Sequence, residues 1–129
     1  MKLKNIKTFS RALTVLSVVM APSQCFAQDA TGTWLVAEGD AHVRIASCGA
    51  ALCGWISWLK DPSASTQAGR RVIWDMKTSG DGEWIGKVFN PRDGNTYSGK
   101  MKVSGEALAV TGCVFGGSLC RTFAWERVR

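Results

Sequence analysis

From Gln28 onward, apolar and polar residues alternate in short runs separated by clusters of Gly, Asp, Asn, Pro and Ser, and no 3.6-residue period is sustained. Alternation with a period of two marks strands that bury one face. It predicts eight strands, over 33–37, 41–47, 52–59, 71–76, 83–90, 95–103, 107–113 and 121–128. Most connections are tight, and Gly39, Asp81-Gly82, Asp93-Gly94 and Ser104-Gly105 supply the positive φ that hairpin turns need. The exception is 60–69, a polar run containing Pro62 that reads as a flap or a long loop. Eight short strands joined in sequence predict an all-β fold, an eight-stranded antiparallel up-and-down β-barrel. Closure removes exposed edges and leaves an interior wide enough for side chains or one small ligand.

Placing the apolar member of each alternation inside predicts an interior of Trp34, Val36, Val43, Ile45, Ile56, Trp58, Val72, Trp74, Met76, Trp84, Val88, Tyr97, Met101, Val103, Leu108, Val110, Phe123 and Trp125. Arg44, Asp75, Glu83, Lys87, Lys100, Lys102 and Glu126 then fall outside. Trp58, Trp74, Trp84, Tyr97, Met101 and Phe123 are the candidate lining of a ligand site, because aromatic walls offer wide apolar contact at little entropic cost. The competing reading is that these large side chains fill the barrel and leave no cavity.

Residues 1–27 do not belong to this pattern. Lys2, Lys4, Lys7 and Arg11 precede an apolar stretch from Ala12 to Ala21, about ten residues and too short to cross a bilayer. Cys25-Phe26-Ala27 then places small residues at a cleavage site. This is the order of a secretory signal, predicted to be cut after Ala27. What remains is a single domain over 28–129, in the periplasm or secreted, with no integral membrane association.

Removing the signal changes two counts. Four of the sixteen Lys and Arg leave and none of the ten Asp and Glu does, so a net charge of +6 becomes twelve against ten, or +2. The basic excess that would point to nucleic acid belongs to the signal, and nucleic acid is not an expected partner. Cys25 leaves as well. Cys48, Cys53, Cys113 and Cys120 form an even set in a short exported domain, which reads as two disulfides. A four-thiolate zinc site competes with that reading, but the spacings lack a tight C-x2-C knuckle, and no metal is expected. In a meander successive turns alternate between barrel ends, roughly 15–20 Å apart for strands of this length, whereas a disulfide needs Cα atoms within about 7 Å. The predicted pairs are therefore Cys48 with Cys53 and Cys113 with Cys120.

Gly32-Thr33-Trp34 in the first strand and Arg127 near the end of the last resemble the calycin and lipocalin pattern, in which a Gly-x-Trp packs beneath a C-terminal Arg. Closing a barrel brings first and last strands together, and an Arg over an indole adds a cation–π contact of about 0.5–2 kcal/mol. Gly32, Trp34 and Arg127 are the expected closure residues. A fuller resemblance spans nearly all of 28–129. Its segments are Gly32-x-Trp34, the block from Cys48-Gly49 to Trp58-Leu59, Trp84-x-Gly86-Lys87-Val88-Phe89-Asn90-Pro91, Gly94-x-x-Tyr97, Leu108-x-Val110-x-Gly112-Cys113 and Trp125-x-Arg127. These are similar to a family of small secreted bacterial proteins of unknown function. The resemblance implies a lipocalin-like barrel and export to the periplasm, and brings no activity with it. Trp55 departs from that family, whose members more often carry a polar or basic residue there. Parity turns it outward, as a contact point or as local packing.

The residues favour a binding module holding a small apolar or aromatic ligand in the barrel, with no cofactor. An enzyme is not expected. His42 is the sole histidine and takes outward parity, and no Ser-His-Asp or metal-ligating constellation is visible. Glu38 with Asp40, and Asp81 with Glu83, are carboxylate pairs of the kind acid–base chemistry uses, but both sit at turns where solvated carboxylates are common. The alternative is an envelope interaction or structural module with a filled barrel, presenting Trp55 and Arg70-Arg71 to a partner.

Overall fold

Eight strands form where alternation predicts them in the computed structural model, which describes residues 12–19, 29–63 and 68–129. They are β1 (Gly32–Leu35), β2 (Ala41–Cys48), β3 (Ala51–Leu59), β4 (Arg71–Gly80), β5 (Glu83–Asn90), β6 (Asn95–Ser104), β7 (Ala107–Val114) and β8 (Leu119–Arg127). Each pairs antiparallel with the next and β8 returns to β1, so the sheet is a closed up-and-down barrel. A 3-10 turn, Phe115–Gly117, joins β7 to β8. Of the expected export signal, 12–19 is exposed and forms no helix or strand. The rest of it, with the cleavage site after Ala27, lies outside the described residues. No described helix is long and apolar enough to cross a membrane.

Closure rests on two register pairs, Trp34 with Arg127 and Leu35 with Glu126. Trp34 is fully buried, and its indole N–H donates to the Ala30 carbonyl at 2.8 Å. The Arg127 guanidinium lies over that indole, 4.3 Å from the ring centre. It also donates to the carbonyls of Thr31 at 3.0 Å and Asp29 at 2.8 Å. The incoming segment is thereby tied across one end of the barrel. Gly32 has a φ of 125°, and a Cβ there would come within 3.1 Å of the Arg127 Nη1. The three expected closure residues thus meet. Above them Ile45, Ile73, Met76, Met101 and Leu108 are buried in one cluster that fills this end of the barrel.

Strict alternation fails in β3 and β4. His42 pairs with Trp58 and Val43 with Ile56, so Ser57 is an extra residue and the faces of β3 exchange beyond it. Trp58 consequently points outward and is 42% exposed, while Leu59 turns in. In β4, Trp55 pairs with Arg71 but Gly54 pairs with Ile73. Val72 is the extra residue, both Val72 and Ile73 are buried, and Trp74 is turned outward beside its partner Lys87. Trp58 and Trp74 therefore leave the predicted interior. A positive φ of 54° at Asp75 marks a second irregularity, after which Met76 is buried as predicted.

The disulfides join Cys48 to Cys53 and Cys113 to Cys120, with Cα atoms 5.8 and 4.1 Å apart. This is the pairing the meander requires. At the Asp75 irregularity the backbone of β4 presses onto β5, and a Cβ on Gly86 would lie 2.6 Å from the Asp75 carbonyl oxygen. Gly86→Ala should therefore lower stability by about 1–3 kcal/mol in urea unfolding. Gly80→Ala, whose Cβ meets nothing but the Glu83 side chain, should change it by less than about 0.5 kcal/mol.

Candidate functional site

Toward the end opposite Trp34, the inward positions carry Val36, Val72, Val88, Val110, Gly112 and Val114. Side chains this short do not meet across an eight-stranded barrel. A cavity of about 770 Å³ results, opening among the turns that join β1 to β2, β5 to β6 and β7 to β8. Ile56, Leu59, Phe123 and Trp125 complete its apolar wall, and Glu38, Asp40, Asn90, Arg92, Asp93, Tyr97 and Arg121 form a polar rim. Gly112, cross-strand partner of Arg121, leaves the wall beside the Tyr97 ring without a side chain.

Of the six candidate lining residues, Tyr97 and Phe123 reach the cavity. Met101 is buried in the packed cluster below it, and Trp84 packs against that cluster from the barrel interior. Trp58 stands outside with its ring 4.6 Å from that of His42. Trp74 stands outside beneath the Arg71 guanidinium, 5.2 Å from the ring centre. Leu59 was missed because the extra residue at Ser57 is invisible to a period-two reading. Arg121 and Leu119 share the parity of Phe123 and Trp125, but the predicted strand begins at Arg121 and stops short of Leu119.

Two polar links organise the rim. Arg92 and Asp40 form an ion pair at 2.9 Å that joins the β1–β2 turn to the β5–β6 turn, four strands away around the barrel. Being exposed, it contributes no more than about 1 kcal/mol. The Tyr97 hydroxyl donates to one oxygen of Asp93, and the other accepts the Asn95 backbone N–H at 2.9 Å. The bond to Asp93 holds the Tyr97 phenol above its ordinary pKa, and the same bond, with that from Asn95, holds the Asp93 carboxyl below its own.

The other carboxylates noted in the sequence are dispersed. Glu83 pairs with Lys102 at 3.5 Å, and Asp81 is exposed in the turn before it. Among the described residues no group of three or more His, Cys, Asp or Glu could hold a metal ion.

The family described as an uncharacterized protein conserved in bacteria, DUF2147, matches residues 32–127. The chain belongs to the DUF2147 family. The matched span runs from the first residue of β1 to the last of β8, so the closed barrel with its Gly32 and Arg127 ends is the DUF2147 unit. No curated protein and no solved structure matches the chain.

The Tyr97–Asp93 bond exists while the phenol is protonated and the carboxyl is ionised. Its contribution is therefore present between the two titrations. It is lost as pH falls through the lowered Asp93 value or rises through the raised Tyr97 value. Tyr97 is the sole tyrosine, so its phenolate absorbance can be followed directly. The midpoint should lie above the ordinary value of about 10 and fall back toward it in Asp93→Asn. An identical midpoint in both proteins would contradict the bond.

Proposed function

We propose that this DUF2147 chain is an exported carrier that takes a small, mostly apolar molecule into the open end of its barrel without transforming it. The observation that carries the reading is the cavity. Its 770 Å³ falls within the range of about 300–1,000 Å³ used by small-molecule sites. Its wall is apolar and its polar groups stand at the rim, which suits a ligand whose apolar body enters while its polar end stays at the mouth. Non-catalytic binding is supported by the occupation of two of the three rim carboxylates, Glu38 being the third. Asp40 is paired with Arg92 and Asp93 accepts from Tyr97, while His42 faces away from the cavity against Trp58.

Export is supported by the charge and hydropathy order of 1–27 and by two disulfides, which persist in oxidising compartments. Protein taken from the periplasmic extract should begin at Gln28 by mass spectrometry. A chain beginning at Met1 would remove the export reading.

The neutral dye N-phenyl-1-naphthylamine provides the binding test. It should fluoresce on addition of the protein, be displaced by 1-decanol, and lose about tenfold or more in affinity in Val110→Trp, where an indole occupies the cavity. Decanol at a hundred times its dissociation constant should add about 2.7 kcal/mol to unfolding stability. If the dye stays dark, or if Val110→Trp binds it as well as the unaltered protein, the barrel is not the site.

A further inference from the structure

Three of the six tryptophans stand outside the barrel, and all three lie on one wall. Register places them among cations. Arg44 on β2 pairs with Trp55 on β3, and Trp55 pairs on its other side with Arg71 on β4. The Arg71 guanidinium lies over Trp74 at 5.2 Å, and Trp74 pairs with Lys87 on β5. The result is a row of cation, indole, cation, indole and cation across four adjacent strands. Arg70, over the Phe89 ring at 4.2 Å, and His42 against Trp58 flank it. The outer positions of β6 to β8 are different in kind: Thr96, Ser98, Lys100, Thr111, Thr122 and Ala124 carry no aromatic ring.

Folding alone accounts for aromatic side chains packed across neighbouring strands. It does not account for the charge. All ten acidic residues of the chain lie in the described segments, and the ion pairs they make are with Arg92, Lys102 and Arg129. Arg44, Arg70, Arg71 and Lys87 thus have no carboxylate partner, although they crowd one wall where like charges repel. Asp75 is the sole acid on the strand that carries Trp74 and Arg71. Cations left unpaired between flat aromatic faces form a surface that complements a chain of rings bearing negative charge.

We infer that the outer wall of β2 to β5 binds a linear acidic polysaccharide, its sugar rings lying on Trp55 and Trp58 and its carboxylates meeting Arg44, Lys87 and the Arg71 guanidinium held over Trp74. The row spans three strand spacings, roughly 14 Å, enough for a few sugar units. A single-stranded nucleic acid offers similar chemistry. The two disulfides favour the glycan, because they belong to oxidising compartments rather than to the cytosol where nucleic acid is the common polyanion. The surface is separate from the cavity, and its test does not depend on whether the cavity is occupied.

The test measures affinity for polygalacturonate by electrophoretic retardation and tryptophan fluorescence at low salt, with neutral dextran and a thymidine oligonucleotide as comparison ligands. Polygalacturonate should bind, weaken as NaCl is raised, and exceed both comparison ligands. Trp55→Ala and Arg44→Gln should each lose about tenfold in affinity, whereas Lys100→Gln on β6 should stay within about twofold of the unaltered protein. Should Trp55→Ala fail to fold, Arg44→Gln, an exposed side chain on β2, carries the comparison. Absence of polygalacturonate binding, equal binding of dextran, tighter binding of the oligonucleotide, or an equal loss in Lys100→Gln would each overturn the inference.

Discussion

The guanidinium of Arg127, laid over the Trp34 ring and bonded to two carbonyls of the incoming chain, is the contact through which β1 and β8 close the barrel. These strands share two register pairs, against eight between β5 and β6, so this seam is where the sheet has least backbone pairing. Hydrogen bonds from a charged donor contribute about 1.5–3 kcal/mol each, and the cation–π contact about 0.5–2 kcal/mol. Without this seam, β1 and β8 would be open edges with unpaired backbone groups. With it, the chain seals one end of the barrel with its own residues 29–31 and leaves the other end to the turns. The position of the cavity follows from that asymmetry.

Much of this is legible in the sequence. The eight strands, their meander and both disulfides follow from alternation, turn residues and the geometry of opposed barrel ends, and the closure trio from its resemblance to the calycin pattern. Trp58 and Trp74 were not, because an extra residue in a strand leaves the composition of the segment unchanged while exchanging its faces. Val72-Ile73 is the one local sign: two β-branched residues in succession, both buried, where alternation would bury one. The rim was missed for a different reason. Arg121 shares the parity of Phe123 and Trp125, but a charged residue is not expected inside a barrel until one knows that β8 runs past the packed core to the open mouth.

The same irregularities that spoil the alternation divide the molecule's surfaces. By turning Trp58 and Trp74 outward they leave the upper barrel with valines and a glycine, and so with unfilled volume. They also place two indoles on a wall that already carries Trp55, Arg44 and Arg71. Gly86 admits the later irregularity at Asp75, after which Met76 is buried, since its missing Cβ leaves room for the Asp75 carbonyl. Interior cavity and aromatic outer wall are thus two results of the same pair of departures from regular pleating, at Ser57 and Val72.

The barrel is packed at the Trp34 end and unfilled at the other. Methyl NMR during a titration with 1-decanol tests it most directly. The methyl signals of Val36, Leu59, Val72 and Val110 should shift together while those of Ile45, Met101 and Leu108 stay in place. Equal shifts in both sets, or shifts confined to outward residues such as Ile85, would contradict it.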